Sequence, residues 1–315
     1  MLTGLTAGIT WALETVVLGI ALASAPFIST EQALFLAPFV STFLHDTISA
    51  LLLWIISLFR KKTKEVISVF KKPDFKWLIL ASLIGGPIGM TGYVLTVNYL
   101  GSSIGAVASA IYPAIGSILA FLFLKERLKW YQWLFLMGTL IGVYGLSYSP
   151  SIDINNFLLG SLGAIMCSFG WGIEGVILSK CLKSNEIKSE YALQIRQTVS
   201  SICYGVIILP IIGGWGFTVS LFKLDNISTL LTIALAGCFA TISYLFYYKA
   251  LSKLGTAKAM GLNITYTAWA VLFSLILLKD TTILNLPSML FSILIVVCGI
   301  FTAIDIVALF KKKTQ

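Results

Sequence analysis

The sequence predicts an all-α integral membrane protein with ten transmembrane helices, built as two inverted five-helix repeats. Composition is the first reason: 58% of the 315 residues are hydrophobic and only 11% are charged, which is unusual for a soluble globular domain. The second reason is a series of apolar runs of about 20 residues, the length needed to cross a bilayer. The third is that motifs of the first half return in the second.

Charge clusters, Gly-Ser pairs and polar turns separate the apolar runs. They predict helices at 4–24, 34–59, 75–98, 102–124, 130–149, 157–179, 190–213, 228–250, 256–278 and 285–309. Residues 1–150 then form the first repeat and residues 151–315 the second, within one integrated membrane domain. Gly85-Gly86-Pro87 with Gly89 interrupts the third helix about halfway, which predicts either a packing kink or a point of bending.

The repeat is visible in several short motifs. Trp11-Ala12-Leu13-Glu14 recurs as Trp171-Gly172-Ile173-Glu174. At one constant offset, Leu100-Gly101-Ser102, Tyr112 and Leu124-Lys125-Glu126 return as Leu254-Gly255-Thr256, Tyr266 and Leu278-Lys279-Asp280. Two homologous halves with an odd number of crossings each must have opposite orientations in the membrane. This is the design of many secondary transporters, whose substrate site lies between the halves near the bilayer midplane.

Basic residues indicate the orientation. Nineteen of the 22 Lys and Arg residues lie on one predicted side, after the even-numbered helices: in 60–76, 125–129, 180–188, 249–258 and 311–313. Because Lys and Arg are in excess on the cytoplasmic side, both termini are predicted to be cytoplasmic, with the chain in the plasma membrane. The net charge of +9 therefore indicates contact with an anionic lipid surface and not with nucleic acid.

Ionisable residues inside apolar helices are the strongest chemical signal. Glu14, His45, Asp46, Glu174 and Arg196 all lie at predicted membrane depth. A charged side chain at the bilayer centre costs about 2.5–3.5 kcal/mol on insertion scales, so such residues usually face a bundle interior or a transport pathway. Glu174, Asp46 and Glu14 are candidates for ion or proton coupling. The alternative is a structural pair in which Asp46 or Glu174 neutralises Arg196.

Aromatic residues at the same depth indicate the kind of substrate. Trp11 shares a helical face with Glu14, and Trp171 with Glu174. Further rings lie on the eighth and ninth predicted helices, where Tyr244 and Tyr248 are four residues apart and Asn263, Tyr266 and Trp269 follow at intervals of three; Tyr112 is the repeat partner of Tyr266. Ring faces beside a carboxylate suit a desolvated cation, above all a quaternary ammonium group.

Other classes of function find no support in the sequence. No nucleophile–base motif, phosphate-binding loop or metal cluster is present, so we expect neither an enzyme nor a bound cofactor or metal. The five cysteines have neither a disulfide framework nor metal-ligand spacing.

Several stretches together resemble the drug/metabolite transporter (EamA-like) superfamily and, within it, the Lic-type choline transporters of Gram-positive bacteria. They are Gly86-Pro87-Ile88-Gly89-Met90, Ser109 to Ile115, Trp171-Gly172-Ile173-Glu174, Ile195-Arg196-Gln197 and Gly261-Leu262-Asn263 with Tyr266 and Trp269. The resemblance implies a ten-helix fold and an aromatic cage on Trp11, Tyr112, Trp171, Tyr244, Tyr248, Tyr266 and Trp269, with Glu174 as counter-charge. Glu14 departs from the family pattern and leaves a more highly charged substrate, such as a polyamine, open.

The sequence thus predicts a carrier that imports choline by alternating access, coupled to a proton or another ion. The alternative is a carrier of the same superfamily that exports amino acids, cationic drugs or other metabolites. The expected partners are a small cation and the lipid bilayer. A monomer and a homodimer both remain open.

Overall fold

The structure is a computed structural model that describes residues 1–148, 156–184, 186–279, 281 and 285–307. Its described part is helical throughout and contains no strand. The long helices are α1 (Leu2–Leu22), α2 (Glu31–Phe59), α3 (Phe75–Leu100), α4 (Ser102–Ala110 and Tyr112–Leu124), α5 (Trp130–Ser147), α6 (Phe157–Lys183), α7 (Ser189–Ile211), α8 (Ile227–Leu254), α9 (Thr256–Leu278) and α10 (Leu286–Ala303). Asp280, the last residue of the predicted Leu278-Lys279-Asp280 motif, lies outside the described residues, as do the basic residues 311–313.

Nine of these helices are long and apolar enough to cross a membrane, counted over the described residues. The remaining helix, α5, has 18 residues and packs along α10. The chain is therefore an all-α, multi-pass membrane protein. The count of ten crossings stays a prediction.

Helix packing follows the sequence repeat. α1 packs on α8, and the equivalent helix of the second half, α6, packs on α3. In the same way, α4 packs on α6 as α9 does on α1, and α2 packs on α8 as α7 does on α3. The approach of α3 to α6 is so close that a Cβ on Gly92 would lie 2.6 Å from the carbonyl oxygen of Gly163. Each half thus supplies the helices that cover the other.

Ion pairs gather the predicted basic loops at one end of the bundle, which we call the basic end. They join Lys72 to Glu186, Lys188 to Glu65, Arg60 to Glu190, Lys183 to Glu126 and Lys129 to Asp305. α2 ends at this end, where α7 begins, and α5 begins where α10 ends. Equivalent helices therefore run in opposite directions, as an inverted repeat requires.

Two of the helix boundaries that differ from the predictions illustrate the local contacts at helix ends. α2 begins at Glu31 instead of residue 34, because the Thr30 side chain accepts a hydrogen bond from the Ala33 N–H and caps the helix. α10 ends at Ala303 instead of residue 309, and just beyond it Asp305 accepts hydrogen bonds from Lys129 and Tyr131.

The ninth predicted helix is interrupted. The chain turns at Ile264 and Thr265, between two shorter α-helical segments, and its last turn, Ser274–Leu278, is π-helical. A π-helical turn, Ile84–Ile88, also lies at the predicted break in α3. Such turns commonly occur at functional sites.

Candidate substrate site

One guanidinium group links two carboxylates in the middle of the bundle. Arg196 on α7 donates from Nε to Glu174 Oε1 at 3.0 Å and from Nη1 to Asp46 Oδ2 at 3.3 Å. Its Nη1 also donates to Gln197 Oε1, and the Ser200 hydroxyl donates to Asp46. The structural pairing that the sequence left open is therefore present for both carboxylates.

His45 extends this network to the third carboxylate. Its Nδ1 lies 2.9 Å from Asp46 Oδ1, and its Nε2 lies 3.7 Å from Glu14 Oε1. The Thr15 hydroxyl is the other polar neighbour of Glu14. The cluster holds three carboxyl groups against one guanidinium, so it is net negative when all three carboxyls are ionised and His45 is neutral. Such an excess of buried carboxylates favours a cationic ligand or bound protons.

The three carboxyl side chains differ in access. Glu174 is 12% exposed, Glu14 is 7% and Asp46 is 2%. Arg196 is 4% exposed and lies behind Glu174. Glu174 is thus the most exposed of the three carboxyl groups.

One group of rings lies around Trp11 on α1. Trp11 packs edge-on against Tyr244, with ring centroids 4.8 Å apart, and against Tyr266 at 6.2 Å. The Arg196 guanidinium lies over the Tyr244 ring, 5.1 Å from its centroid. The Tyr244 ring thus already forms a cation–π contact with a cation of the protein itself.

A second group of rings surrounds Trp171 on α6. Tyr112 meets it edge-on at 6.1 Å, and Tyr93 stacks on it at 6.0 Å. The indole N–H donates to the Gly85 carbonyl at 2.9 Å, which ties the ring to α3. Asn263 donates to the Tyr112 hydroxyl at 3.1 Å and fixes that ring from α9.

The π-helical turn of α3 makes room for Glu174. A Cβ on Gly85 would overlap the Glu174 carboxylate, so a side chain at this position would displace that carboxylate. The same turn supplies the carbonyl that orients Trp171. The break in α3 therefore positions both functional residues of the second Trp-x-x-Glu motif.

The structure brings together most of the predicted site residues. Trp11, Tyr244 and Tyr266 form one contact group, and Tyr112, Trp171 and Asn263 form the other. Tyr248 is 1% exposed and contacts Tyr244 from the core side. Trp269 has no ring contact within the described part of the chain, and its indole N–H has no partner there.

Two contributors were missed by the sequence analysis. Tyr93 stacks on Trp171, and the Gly85 carbonyl accepts the hydrogen bond that the Trp171 indole N–H donates. The offset that relates Tyr112 to Tyr266 also relates Tyr93 to Tyr247, so the repeat could have identified Tyr93. No group of His, Cys, Asp and Glu suitable for a metal ion occurs among the described residues.

The described part of the chain is a multi-pass bundle of membrane-spanning helices with charged and aromatic side chains clustered inside it. Residues 1–148 match the model of the EamA-like transporter family. The chain is 32% identical to Protein LicB of Haemophilus influenzae over 239 residues, which are 76% of this chain and 77% of that protein. It belongs to the EamA-like family of the drug/metabolite transporter superfamily.

Two further similarities agree with this assignment. The riboflavin transporter ImpX of Fusobacterium nucleatum is 28% identical over 186 residues, 57% of this chain and 60% of that protein. One solved crystal structure of a protein superposes with a TM-score of 0.65 at 17% identity and covers 96% of both chains. That likeness concerns the fold alone.

Proposed function

We propose that this chain is a secondary transporter that imports choline or a closely related quaternary ammonium compound by alternating access. The observation that carries the proposal is the position of Glu174, a partly accessible carboxylate beside the aromatic group of Trp171, in a cluster with more carboxyls than cations. A quaternary ammonium group cannot donate a hydrogen bond, so ring faces and a nearby negative charge supply most of its binding free energy.

The proposed substrate site comprises the following residues: Trp11, Tyr112, Trp171, Glu174, Tyr244, Tyr248, Asn263, Tyr266 and Trp269. Glu174 acts as counter-charge, and Asn263 holds Tyr112 in place. Burial of a cation among rings and a carboxylate is favourable only when the ligand loses little hydration, which choline satisfies and a primary amine does not.

We propose that the driving ion is a proton. Glu14 and His45 lie 3.7 Å apart and have no Lys or Arg partner among the described contacts, in contrast to Asp46 and Glu174. A proton added to this pair would reduce the negative charge of the cluster without occupying the rings. Asp46 connects the pair to Arg196. Arg196 in turn binds Glu174, the proposed counter-charge of the substrate.

Purified protein in liposomes tests both proposals. Radiolabelled choline should accumulate when the outside is more acidic than the inside, and much less without a gradient. Excess unlabelled choline should compete, whereas lysine and riboflavin should not. Equal uptake with and without the pH gradient would reject the proton, and no saturable choline uptake in any gradient would reject the substrate.

Export of amino acids or cationic drugs is the second candidate. The observation in its favour is Arg196, a guanidinium beside the rings that could receive a substrate carboxylate. Competition by amino acids in the same liposomes, together with efflux from preloaded vesicles, would place this candidate ahead of choline import.

The orientation is proposed from the basic end. We place that end, with both termini, on the cytoplasmic side of the plasma membrane, and residues 1–150 and 151–315 as the two repeats. Single cysteines in place of Lys125 and Lys279, in a background without native cysteines, should react with an impermeant reagent from opposite sides of the bilayer. Labelling of both from one side would reject the inverted arrangement.

A further inference from the structure

Glu126 joins the two halves of the chain at the basic end. It follows α4, and its Oε2 accepts a 2.9 Å hydrogen bond from the backbone N–H of Thr256, the first residue of α9. Its Oε1 lies 2.5 Å from Nζ of Lys183, the last residue of α6. A single carboxylate therefore fastens three helices to one another.

The local backbone is shaped for this contact. Lys125 adopts the left-handed conformation, φ 57°, and ends α4 so that Glu126 turns away from the helix axis. Gly255 has φ 83°, and a Cβ there would lie 2.8 Å from both carboxylate oxygens. The first N–H groups of a helix lack internal partners and carry the positive end of its dipole, so a carboxylate is favoured at Thr256.

The three fastened helices also carry the candidate site. Tyr112 lies on α4, Glu174 on α6 and Tyr266 on α9. At 1.5 Å per helical residue, the contact lies about 15–20 Å from these residues along each helix, roughly half the thickness of a bilayer core. A path from the site to the basic end along these three helices would open between them, and Glu126 holds them together where that path would end.

Water can reach the groups that form this contact. A cavity of about 250 Å³ borders it, lined by Glu126, Lys183, Gly255 and Ala257 together with Arg127, Leu128, Ser252, Lys253, Leu254 and Lys258. The Glu126 side chain is 15% exposed and that of Lys183 is 43% exposed. Water can therefore solvate the carboxylate and the N–H when they separate, which avoids the cost of a bare buried charge.

We propose that Glu126 is a latch: its bonds to Thr256 and Lys183 hold the basic end closed, and their release lets α4, α6 and α9 separate there. Glu126 is thus a positioning residue for transport and does not touch the substrate. The inference rests on alternating access, as proposed above, and does not depend on choline.

Hydrogen–deuterium exchange of the full-length protein in nanodiscs, without substrate, tests the latch. Glu126→Ala should speed amide exchange in residues 256–262 by roughly tenfold or more, as expected for opening of one end. It should also slow exchange in residues 104–110 at the opposite end of α4, because alternating access closes one end when the other opens. Lys253→Met, an exposed cation that lines the same cavity, is the matched control and should change neither segment.

The reciprocal change separates a latch from a helix cap. Faster exchange in residues 256–262 without slower exchange in residues 104–110, or no change at all, would overturn the proposal. Glu126→Gln keeps an oxygen for the Thr256 N–H but loses the charge that Lys183 binds, so it should give the same two changes with smaller size. This milder variant covers the case in which the alanine protein does not fold. Because no substrate is present, a wrong substrate assignment leaves the result intact.

Discussion

The two halves of the chain place the same Trp-x-x-Glu motif in different surroundings. In the second half, Glu174 pairs with Arg196 at 3.0 Å and Trp171 donates to a backbone carbonyl of α3. In the first half, Glu14 faces His45 at 3.7 Å and Trp11 packs edge-on against Tyr244. The repeat fixes where each motif lies, and the neighbouring helices decide its chemistry.

The difference concerns the kind of cation that each carboxylate meets. Arg196 is charged at every physiological pH, so the partner of Glu174 is permanent. His45 is a cation only when it has taken up a proton, so the partner of Glu14 depends on pH. The same motif thus faces a fixed cation in one half of the chain and, in the other half, a side chain whose charge depends on its protonation.

The largest expected effect follows from removal of the shared cation. Arg196→Met removes the guanidinium that both Glu174 and Asp46 bind in the interior, and loss of one member of a buried pair costs about 3–5 kcal/mol. Thermal unfolding in detergent should show a large drop in stability, whereas Arg60→Met at the exposed Glu190 pair should change it little. A variant of Arg196 as stable as the parent would contradict the shared-cation description.

Next comes the contrast between the two glutamates. Glu174→Gln should abolish concentrative uptake and choline binding in a folded protein, because the counter-charge is lost. Glu14→Gln should still bind choline but lose the response of uptake to a pH gradient. Equilibrium binding and vesicle uptake, measured on both variants, check this. Normal transport by Glu174→Gln would make that residue structural and remove it from the proposed substrate site.

Ring substitutions should have intermediate effects. Trp171→Ala and Tyr266→Ala should each weaken choline binding by about 1–3 kcal/mol, roughly 5- to 150-fold, if the contact is desolvated. The phenylalanine variants should retain much more, since they keep a negative ring face. Calorimetry on the purified proteins decides between this cage and a simple charge trap, which would tolerate alanine and bind ammonium equally well.

The smallest effect is expected where the same chemistry lies at the surface. The Tyr191 hydroxyl, at 2.5 Å, and Lys188, at 3.0 Å, hold the pKa of Glu65 below its usual range. This stabilisation is present above the unfolded-state pKa of the carboxyl and is lost as the pH falls through the lowered one. In the acidic range, the thermal stability of the parent should therefore fall as the pH is lowered, and that of Glu65→Gln should fall less steeply. Transport at neutral pH should be unchanged.

Much of the architecture could be predicted because it depends on patterns within the chain. Apolar length predicted the membrane helices, and the repeat placed Trp11, Tyr112, Trp171 and Tyr266 near one another. The Arg196 pairings were foreseen only as an alternative, because either Asp46 or Glu174 could reach it and sequence separation does not give distance.

Other parts of the site depend on contacts between helices that a single sequence does not encode locally. The hydrogen bond from Trp171 to Gly85 requires the close approach of α3 and α6 and a π-helical turn. The regular spacing of Asn263, Tyr266 and Trp269 assumes a continuous helix, whereas the chain turns at Ile264 and Thr265. The predicted role of Trp269 therefore stays a prediction.

The excess of carboxyls in the central cluster has an electrical consequence. With His45 neutral and no acid protonated, the empty site carries two more negative than positive charges, from Glu14, Asp46 and Glu174 against Arg196. The membrane potential acts on each such charge with about 2.3 kcal/mol per 100 mV over the full field. A membrane potential that is negative inside would favour the outward-facing state of the empty carrier. The potential would act less on the carrier once bound cations have reduced the negative charge of the site. The membrane potential would then act mainly on the return of the unloaded carrier and only weakly on the step that moves the bound substrate.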